Sequence, residues 1–368
     1  MLEKGRISSR QFFFLIFTFI LSNSLYNLPT ISITQAKQDV WLAMLLALGI
    51  DAVVAVVLYI LGLRYPQQTI FEYSESILGK VLGKLVALVF ALFFLIMGSI
   101  ILKTLTDFLT TVIMPETPML AFSIIFLLVS TYAVNAGLEV LGRLSEIIGP
   151  VMLISLISVL LFNLESIEVA RLQPAFQHSP LEIVKASLLP ASWFGVCIAM
   201  GIFMAYHNKP KETLKVKLGG VVTGVVLLIL GMLEAITVFG VEMCTSQNYL
   251  LYRLSQMIEV GDFFERFEVL EVFIWMTGGF ISVIILYYHS TLGLAQLLRF
   301  PKYQSLTPFI GGIILFLSLS LFDNFTERLS LFKGLVFPFL ALTVEGFLTT
   351  LLLIVSVLRH GKNLAKNK

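Results

Sequence analysis

Long apolar stretches alternate with short polar segments along the whole chain. A helix that crosses a bilayer needs about 20 mostly apolar residues, and the alternation typical of barrel strands does not occur, so helical spans are expected. The pattern predicts an all-α integral membrane protein with ten transmembrane helices, in which residues 1–368 form a single membrane domain. The predicted spans are Gln11–Ile33, Val40–Leu63, Leu82–Met114, Met119–Ala136, Ile147–Asn163, Ile183–Tyr206, Leu218–Gly240, Phe267–Leu297, Leu306–Phe322 and Leu335–Leu358.

The composition of the chain excludes several classes of function. Of the 368 residues, 58% are hydrophobic and 13% are charged, whereas soluble domains average about 45–50% apolar and about 25% charged residues. The mean hydropathy is +0.94. A soluble enzyme, a nucleic-acid-binding protein and a secreted disulfide scaffold are therefore excluded.

The charged residues of the loops predict the orientation in the membrane. Lysine and arginine collect in the cytoplasmic loops of membrane proteins. Most of the 25 basic residues fall on the side of the two termini, and most of the 23 acidic residues fall on the opposite side. We therefore expect both termini in the cytoplasm and an acidic outer mouth. The apolar run after Met1–Arg10 lacks a small-residue cleavage site, so we expect it to be kept as the first span.

Two spans are interrupted by polar residues and a proline. Five spans in each half permit an inverted repeat of residues 11–163 and 182–358, and we expect the first and sixth helices, which begin the two halves, to be broken. Unwound backbone frees N–H and C=O groups near the bilayer midplane, so paired breaks indicate a substrate site. Two kinked packing helices are the alternative. The candidate ligand-binding residues are Ser22, Asn23, Ser24 and Asn27, before Pro29, and Ser192, Trp193, Phe194 and Gly195, after Pro190.

Charged residues within the spans are a second group of candidates. Lys103 and Asp107 are four residues apart, on one face of the predicted third helix. A charge inside a membrane is costly and usually faces a cavity or another charge. The pair is therefore either an ion pair that holds helices together or a coupling element beside the substrate. Glu234 and Glu345 have no partner nearby in the sequence, and each is either a proton-carrying carboxylate or a residue nearer the interface than the predicted boundaries.

An acidic stripe marks the outer end of the eighth span. Glu265, Glu268 and Glu271 recur every third residue, and Arg266 stands among them. Acidic residues complement a helix N-terminus, so the stripe is either a solvated helix start or an outer gate or subunit contact formed by Glu265, Arg266 and Glu268.

Motifs of known enzymes do not occur in the sequence. The chain has no H-E-x-x-H, no G-x-S-x-G and no G-x-x-x-x-G-K-[ST]. The two cysteines, Cys197 and Cys244, match no metal or redox spacing. We therefore expect no catalysis, no cofactor and no metal.

Several short segments together resemble one known family. These segments are Gln38-Asp39-Val40-Trp41, Phe71-Glu72-Tyr73, Gly142-Arg143, Arg171-Leu172-Gln173-Pro174 and Glu265-Arg266-Phe267-Glu268 with Trp275. With the ten spans they resemble, over essentially the whole chain, the B-subunit of bacterial endospore germinant receptors, the endospore-germination permease family. That family is similar in fold to the amino acid–polyamine–organocation transporters.

The resemblance implies a receptor of the inner spore membrane that binds a small nutrient, commonly an amino acid. It implies a transporter-like pocket at Ser22–Asn27 and Ser192–Gly195, lined by the third span. Such a receptor signals to a membrane A-subunit and acts with a lipoprotein C-subunit. The first break of related transporters is often rich in glycine, whereas Ser22-Asn23-Ser24 stands here. These bulkier, hydrogen-bonding side chains narrow the pocket or change its ligand.

An ion- or proton-coupled amino-acid transporter is the competing hypothesis. The paired breaks and the intramembrane charges are the features that favour such a transporter. Uptake of a labelled amino acid that collapses with the ion gradient distinguishes transport from binding alone.

Overall fold

A computed structural model describes the chain over residues 3–258, 268–322 and 325–366. In these ranges the chain forms helices, and no β-strand is present. The helices are α1 (Ser9–Ser24), α2 (Leu28–Ala36), α3 (Val40–Arg64), α4 (Ile70–Leu78), α5 (Lys80–Phe108), α6 (Met119–Ala136), α7 (Leu138–Phe162), α8 (Pro180–Gly195), α9 (Met200–Phe203), α10 (Thr213–Phe239), α11 (Val241–Ser246), α12 (Leu250–Ser255), α13 (Glu268–Leu298), α14 (Thr307–Ser320), α15 (Phe325–Lys333), α16 (Val336–Leu342) and α17 (Thr349–Lys366).

The predicted membrane-spanning character is confirmed. Seven helical segments of the described ranges are long and apolar enough to cross a bilayer. The other three predicted spans correspond to shorter pieces, namely α1, α8 with α9, and α14, while α2 is joined to α3 in one of the seven segments. The total of ten spans and the division into the repeats 11–163 and 182–358 stay predictions.

The first predicted span is broken in its middle. Helix α1 begins after Ser8, whose hydroxyl accepts from the Gln11 backbone N–H while the Gln11 side chain accepts from the Ser8 N–H, a reciprocal cap that fixes the helix start. The helix ends at Ser24, and residues 25–27 are bent. Helix α2 then starts with Pro29 in its first turn, where the missing N–H of proline breaks no hydrogen bond. Pro29 therefore starts the second half-helix.

The sixth span is interrupted at a different place from the one predicted. Pro190 lies inside α8, which continues through Gly195, and a 3₁₀ segment follows at Val196–Ala199. Proline was expected to break the helix where it stands. Membrane helices tolerate it, however, because neighbouring groups satisfy the freed carbonyl. Ser192 and Trp193 therefore form the last turn before the interruption, as Ser22 does in α1.

Helix α13 lies at the centre of the core and packs against α5, α1, α7 and α6. Small residues allow the backbones to approach closely, which is the usual basis of helix association in membranes. A side chain at Gly278 would lie 2.6 Å from Ser22 Cβ, and one at Gly293 would lie 2.4 Å from the Phe71 ring. Large apolar side chains such as Leu128 and Phe316 are exposed on the outside, as expected of a surface that faces lipid.

The segment before α8 is bound to the start of α3. The Asp39 carboxylate accepts hydrogen bonds from the backbone N–H groups of Phe176 (2.6 Å), Gln177 (3.0 Å) and His178 (3.2 Å). It also lies 2.9 Å from Nδ1 of His178. Successive N–H groups of this kind form an anion-binding concavity. Two of the family-like segments, one containing Asp39 and one just before Phe176, are thus brought together.

Candidate functional site

A small closed cavity lies at the break of the first span. Its volume is about 10 Å³, which is room for about one water molecule. The broken span, α5, α8 and α15 contribute its walls. The lining residues are Asn23, Tyr26, Asn27, Leu28, Ile31, Ile101, Thr104, Trp193 and Phe332. The two predicted interruptions therefore meet at one site, since Trp193 comes from the last turn of α8.

Polar atoms without partners are concentrated at this break. The side-chain oxygens of Asn23, Ser24 and Asn27 are buried and accept no hydrogen bond from the described residues. Most buried polar groups in proteins are hydrogen-bonded, so such atoms require an explanation. Asn23 and Asn27 both line the cavity, so an ammonium or hydroxyl group bound there has two amide groups nearby whose oxygens can accept its hydrogen bonds.

Aromatic rings close the cavity on two sides. The Trp193 ring lies 5.3 Å from Phe332 and 5.7 Å from Phe337, between ring centroids. On another side, Tyr26 lies 4.8 Å from Trp275 and donates its hydroxyl hydrogen to the Trp275 carbonyl at 3.0 Å. Rings at these separations attract one another beyond the burial of their area. Entry of a ligand larger than water therefore requires one of these walls to move.

A buried charged cluster lies one helical turn from the cavity. The Lys103 ammonium is 3.3 Å from one carboxylate oxygen of Asp107, and the Arg328 guanidinium is 2.5 Å from the other. Asp107 follows the cavity-lining Thr104 by three residues, and Arg328 precedes Phe332 by four, so both belong to faces that reach the cavity. Lys103 and Arg328 thus bring two cations to the edge of the site.

Several of the predicted ligand-binding residues point elsewhere. Ser22 donates to the Thr18 carbonyl at 2.7 Å and contacts the Ser282 hydroxyl at 2.9 Å. Ser192 donates to the Leu189 carbonyl at 2.7 Å, and Phe194 is fully buried. Gly195 ends α8. Of the eight predicted residues, Asn23, Asn27 and Trp193 line the cavity.

The predicted outer gate is described only in part. Glu265 and Arg266 lie outside the described residues, and Glu268 begins α13, half-buried. Glu271, which the spacing placed on a solvated stripe or gate, is 1% exposed and accepts from the Trp275 indole N–H at 2.8 Å. Glu271 differs from an ordinary helix start because its own carboxylate is buried and paired with the Trp275 indole, whereas Val269, two residues earlier, is 58% exposed.

The isolated intramembrane acids are both buried. Glu234 is 6% exposed and lines an apolar groove of about 610 Å³ between α7 and α10. Glu345 is fully buried. The two alternatives for each acid, a proton-carrying carboxylate or a residue near the interface, stay predictions. Among the described residues, no group of three or more His, Cys, Asp and Glu side chains is placed to hold a metal ion.

Arg328 and Phe332 are important residues of the site that the sequence pattern did not reveal. Both lie on α15, in a segment that hydropathy classifies as an outer loop. The four-residue spacing of an arginine and an aromatic residue is compatible with one helix face, and this is the signal that could have identified them. Tyr26 was also missed, although it lies between the predicted residues Ser24 and Asn27.

Comparisons of sequence show what the chain is related to. A family model described as "Spore germination protein" matches residues 6–326. Spore germination protein YndE of Bacillus subtilis (strain 168) is 28% identical over 357 residues, which cover 96% of each chain. Spore germination protein KB of the same organism is 26% identical, over 97% of this chain and 96% of its own.

Comparisons of structure show that the fold is that of membrane transporters. The closed, bromovinylhydantoin-bound form of MHP1, a nucleobase-cation-symport-1 family transporter, superposes with a TM-score of 0.74, at 10% identity, over 95% of this chain and 78% of that one. MhsT in complex with L-phenylalanine gives a TM-score of 0.63, at 13% identity, over 96% and 89% of the two chains. With a family model that covers most of its length and relatives that align from end to end, the chain belongs to the spore germination protein family, built on a transporter fold.

Proposed function

We propose that the protein is the B-subunit of a germinant receptor, and that it binds a small nutrient, an amino acid, at the break of the first span. The observation that carries the proposal is the pair of unpartnered, buried amide oxygens of Asn23 and Asn27 at the cavity. An α-ammonium group donates hydrogen bonds that such oxygens accept. Buried polar atoms without partners are costly, so a ligand that pairs them is stabilised.

The buried cations support the choice of an amino acid. Lys103 and Arg328 lie within one turn of the cavity-lining residues of their helices. A carboxylate bound near these cations would gain attraction from both, although Asp107 already neutralises part of their charge. Amide oxygens that accept from an ammonium group and cations that attract a carboxylate match the two charges of a zwitterion.

The small volume supports a receptor that opens to bind. A cavity of about 10 Å³ is too small for an amino acid, so this conformation is closed. Helix α15 carries both Phe332 in the cavity wall and Arg328 in the charged cluster. Outward movement of α15 would open the cavity and would also pull Arg328 away from Asp107. Entry of a ligand would thus be coupled to a change in the position of α15.

The same proposal includes the setting of the protein. Both termini lie in the cytoplasm, the membrane is the inner spore membrane, and the partners are a membrane A-subunit and a lipoprotein C-subunit. The membership in the spore germination protein family and the basic residues on the side of the termini support this setting.

The test uses spores in which this protein and its partner subunits form the only germinant receptor. Dose–response curves for a panel of amino acids are measured for Asn23→Ala and Asn27→Ala. Each lost hydrogen bond to a charged group contributes about 1.5–3 kcal/mol, so the half-maximal concentration should rise about 10-fold or more. Asn208→Ala, at an exposed asparagine, is the matched control and should respond as the unaltered protein. Unchanged curves for both cavity variants, at normal protein levels, would overturn the site.

An ion- or proton-coupled amino-acid transporter is the second candidate. The fold is similar to that of a Na⁺-coupled sialic acid symporter, with a TM-score of 0.66 at 12% identity, and this similarity supports transport as an alternative. Proteoliposomes containing the purified protein distinguish the two functions. Uptake of a labelled amino acid that collapses with the ion gradient supports transport, whereas saturable binding without net uptake supports the receptor.

A further inference from the structure

A second buried charged cluster lies away from the cavity, around Glu345. This residue is fully buried, and neither of its carboxyl oxygens has a hydrogen-bond partner among the described residues. It stands in a π-helical turn, Thr343–Leu348, between α16 and α17. Such turns are rare within helices and are frequent at functional sites.

Two charged residues from other spans act on Glu345. Asp51 of α3 and Lys217 of α10 form an ion pair with each side chain 1% exposed. Asp51 lies near the middle of the 25-residue helix α3, which is about 20 Å along the helix from Arg64 at its end. Helices α5 and α8 also pack against the π-helical turn. The π-helical turn lies against α3 close to Asp51, since a Cβ added at Gly346 would lie 3.8 Å from Cγ2 of Val54, about one helical turn from Asp51. Asp51 and Lys217 also act electrostatically on Glu345.

The charges of this cluster do not balance when all three groups are ionised. Two carboxylates and one ammonium leave one negative charge buried, and the oxygens of Glu345 have no donor to stabilise it. An isolated buried carboxylate is so costly that such groups take up a proton instead. Lys217 is already paired with Asp51, so the neutral member is Glu345.

We propose that Glu345, with the Asp51–Lys217 pair, forms a proton-binding site in which the Glu345 carboxyl carries the proton. A metal cation in the same place would need several converging oxygen ligands. In the described ranges no group of three or more His, Cys, Asp and Glu side chains is placed to hold a metal ion. A movement that brings Glu345 to water or to the Lys217 ammonium would release the proton, and the site therefore links proton binding to conformation. This inference is independent of the ligand cavity.

The test is infrared difference spectroscopy of the full-length protein in lipid nanodiscs at neutral pH. A protonated carboxyl group has a C=O stretching band that a carboxylate lacks. We expect the intensity of this band to decrease in Glu345→Gln by the contribution of one carboxyl group. Glutamine has nearly the same shape as a neutral glutamic acid, so the fold should be kept. Glu116→Gln, at an exposed glutamate, is the matched control and should leave the band unchanged.

Asp51→Asn makes the assignment specific to the cluster. This variant removes the carboxylate that is paired with Lys217 and keeps Glu345. Glu345 is then the acid that can pair with Lys217, so it should ionise, and the C=O band of its protonated carboxyl should be lost. An intact band in Glu345→Gln, or an intact band in Asp51→Asn, overturns the proposal. A band that appears only when Na⁺ is replaced by choline also overturns it, because the site would then hold a metal cation.

Discussion

The Arg328 guanidinium lies 2.5 Å from the Asp107 carboxylate, and this contact joins helix α15 to helix α5 at the edge of the cavity. The two residues are 221 positions apart in the chain. Lys103 shares the same carboxylate from within α5. Asp107 therefore binds both cations and links α15 to α5.

Asp107→Asn is expected to destabilise the protein strongly. Removal of the carboxylate leaves buried cations without the charge that they share, which typically costs about 3–5 kcal/mol. The unfolding temperature of the purified protein in detergent, compared with that of the unaltered protein, measures the loss.

The double variant Asp107→Asn/Arg328→Met is the control for the ion pair. The double variant removes one of the two cations that Asp107→Asn leaves without their carboxylate, while Lys103 keeps its charge. It should therefore be more stable than Asp107→Asn alone but less stable than the unaltered protein. Together with Arg328→Met alone, these variants form a double-mutant cycle. If the loss of stability in the double variant equals the sum of the two single losses, the two residues act independently.

Phe332→Ala is expected to enlarge the cavity and broaden the range of ligands. Phe332 is 2% exposed and contacts Trp193 and Phe337. Loss of its ring costs about 3–5 kcal/mol of stability. The enlarged cavity should accept larger amino acids and should release them faster. Dose–response curves with amino acids of increasing size measure the change. Phe339→Ala, 56% exposed on α16, should leave the curves unaltered, and equal effects of the two substitutions would contradict the prediction.

Gly278→Ala is expected to separate α13 from α1. The added Cβ would lie 2.6 Å from Ser22 Cβ and 2.9 Å from the methyl carbon of Met152, so helices must shift at a cost of about 1–3 kcal/mol. Thermal unfolding in detergent measures this cost. At Gly312 of α14 no atom lies within 4 Å of an added Cβ, and Gly312→Ala should be neutral or slightly stabilising. A neutral Gly278→Ala would show that this contact adapts easily.

The stability of the folded protein at acidic pH is expected to depend on His207. Burial lowers the pKa of this imidazole below its usual value of 6.5, and the charge of nearby Lys209 adds to the effect while Glu212 opposes it. The ring lies between the Thr213 hydroxyl (2.7 Å from Nδ1) and the Ser9 hydroxyl (3.1 Å from Nε2). The neutral ring thus connects Ser9, at the start of α1, with Thr213, at the start of α10.

The sign of this dependence follows from the lowered pKa. The unfolded chain binds the proton first as the pH falls, so the stabilisation by neutral His207 is complete above about pH 6.5 and is lost as the pH falls through the lowered folded-state pKa. His207→Gln cannot titrate, and its unfolding temperature should fall less steeply between pH 6.5 and the acid range. Parallel curves for the two proteins would exclude His207 as the titrating group.

Much of the architecture could be predicted because a bilayer imposes simple rules on sequence. The apolar windows predicted helices, and the polar group Ser22–Asn27 before Pro29 predicted the break at residues 25–27. The second break was less accurate, since Pro190 lies inside α8. Proline indicates a weak point in a helix, but neighbouring helices decide whether the backbone yields there.

The sequence by itself determined which segments form long apolar helices and which neighbours share a helix face, as in the Lys103–Asp107 pair. Those properties depend on local hydrophobicity and on the fixed periodicity of the helix. The tertiary structure decided that Arg328 and Phe332 reach the cavity, that Ser22 and Ser192 turn away from it, and that Asp51, Lys217 and Glu345 form one cluster. These contacts join distant parts of the chain, and the packing of helix faces, which spacing within one helix does not specify, determines them.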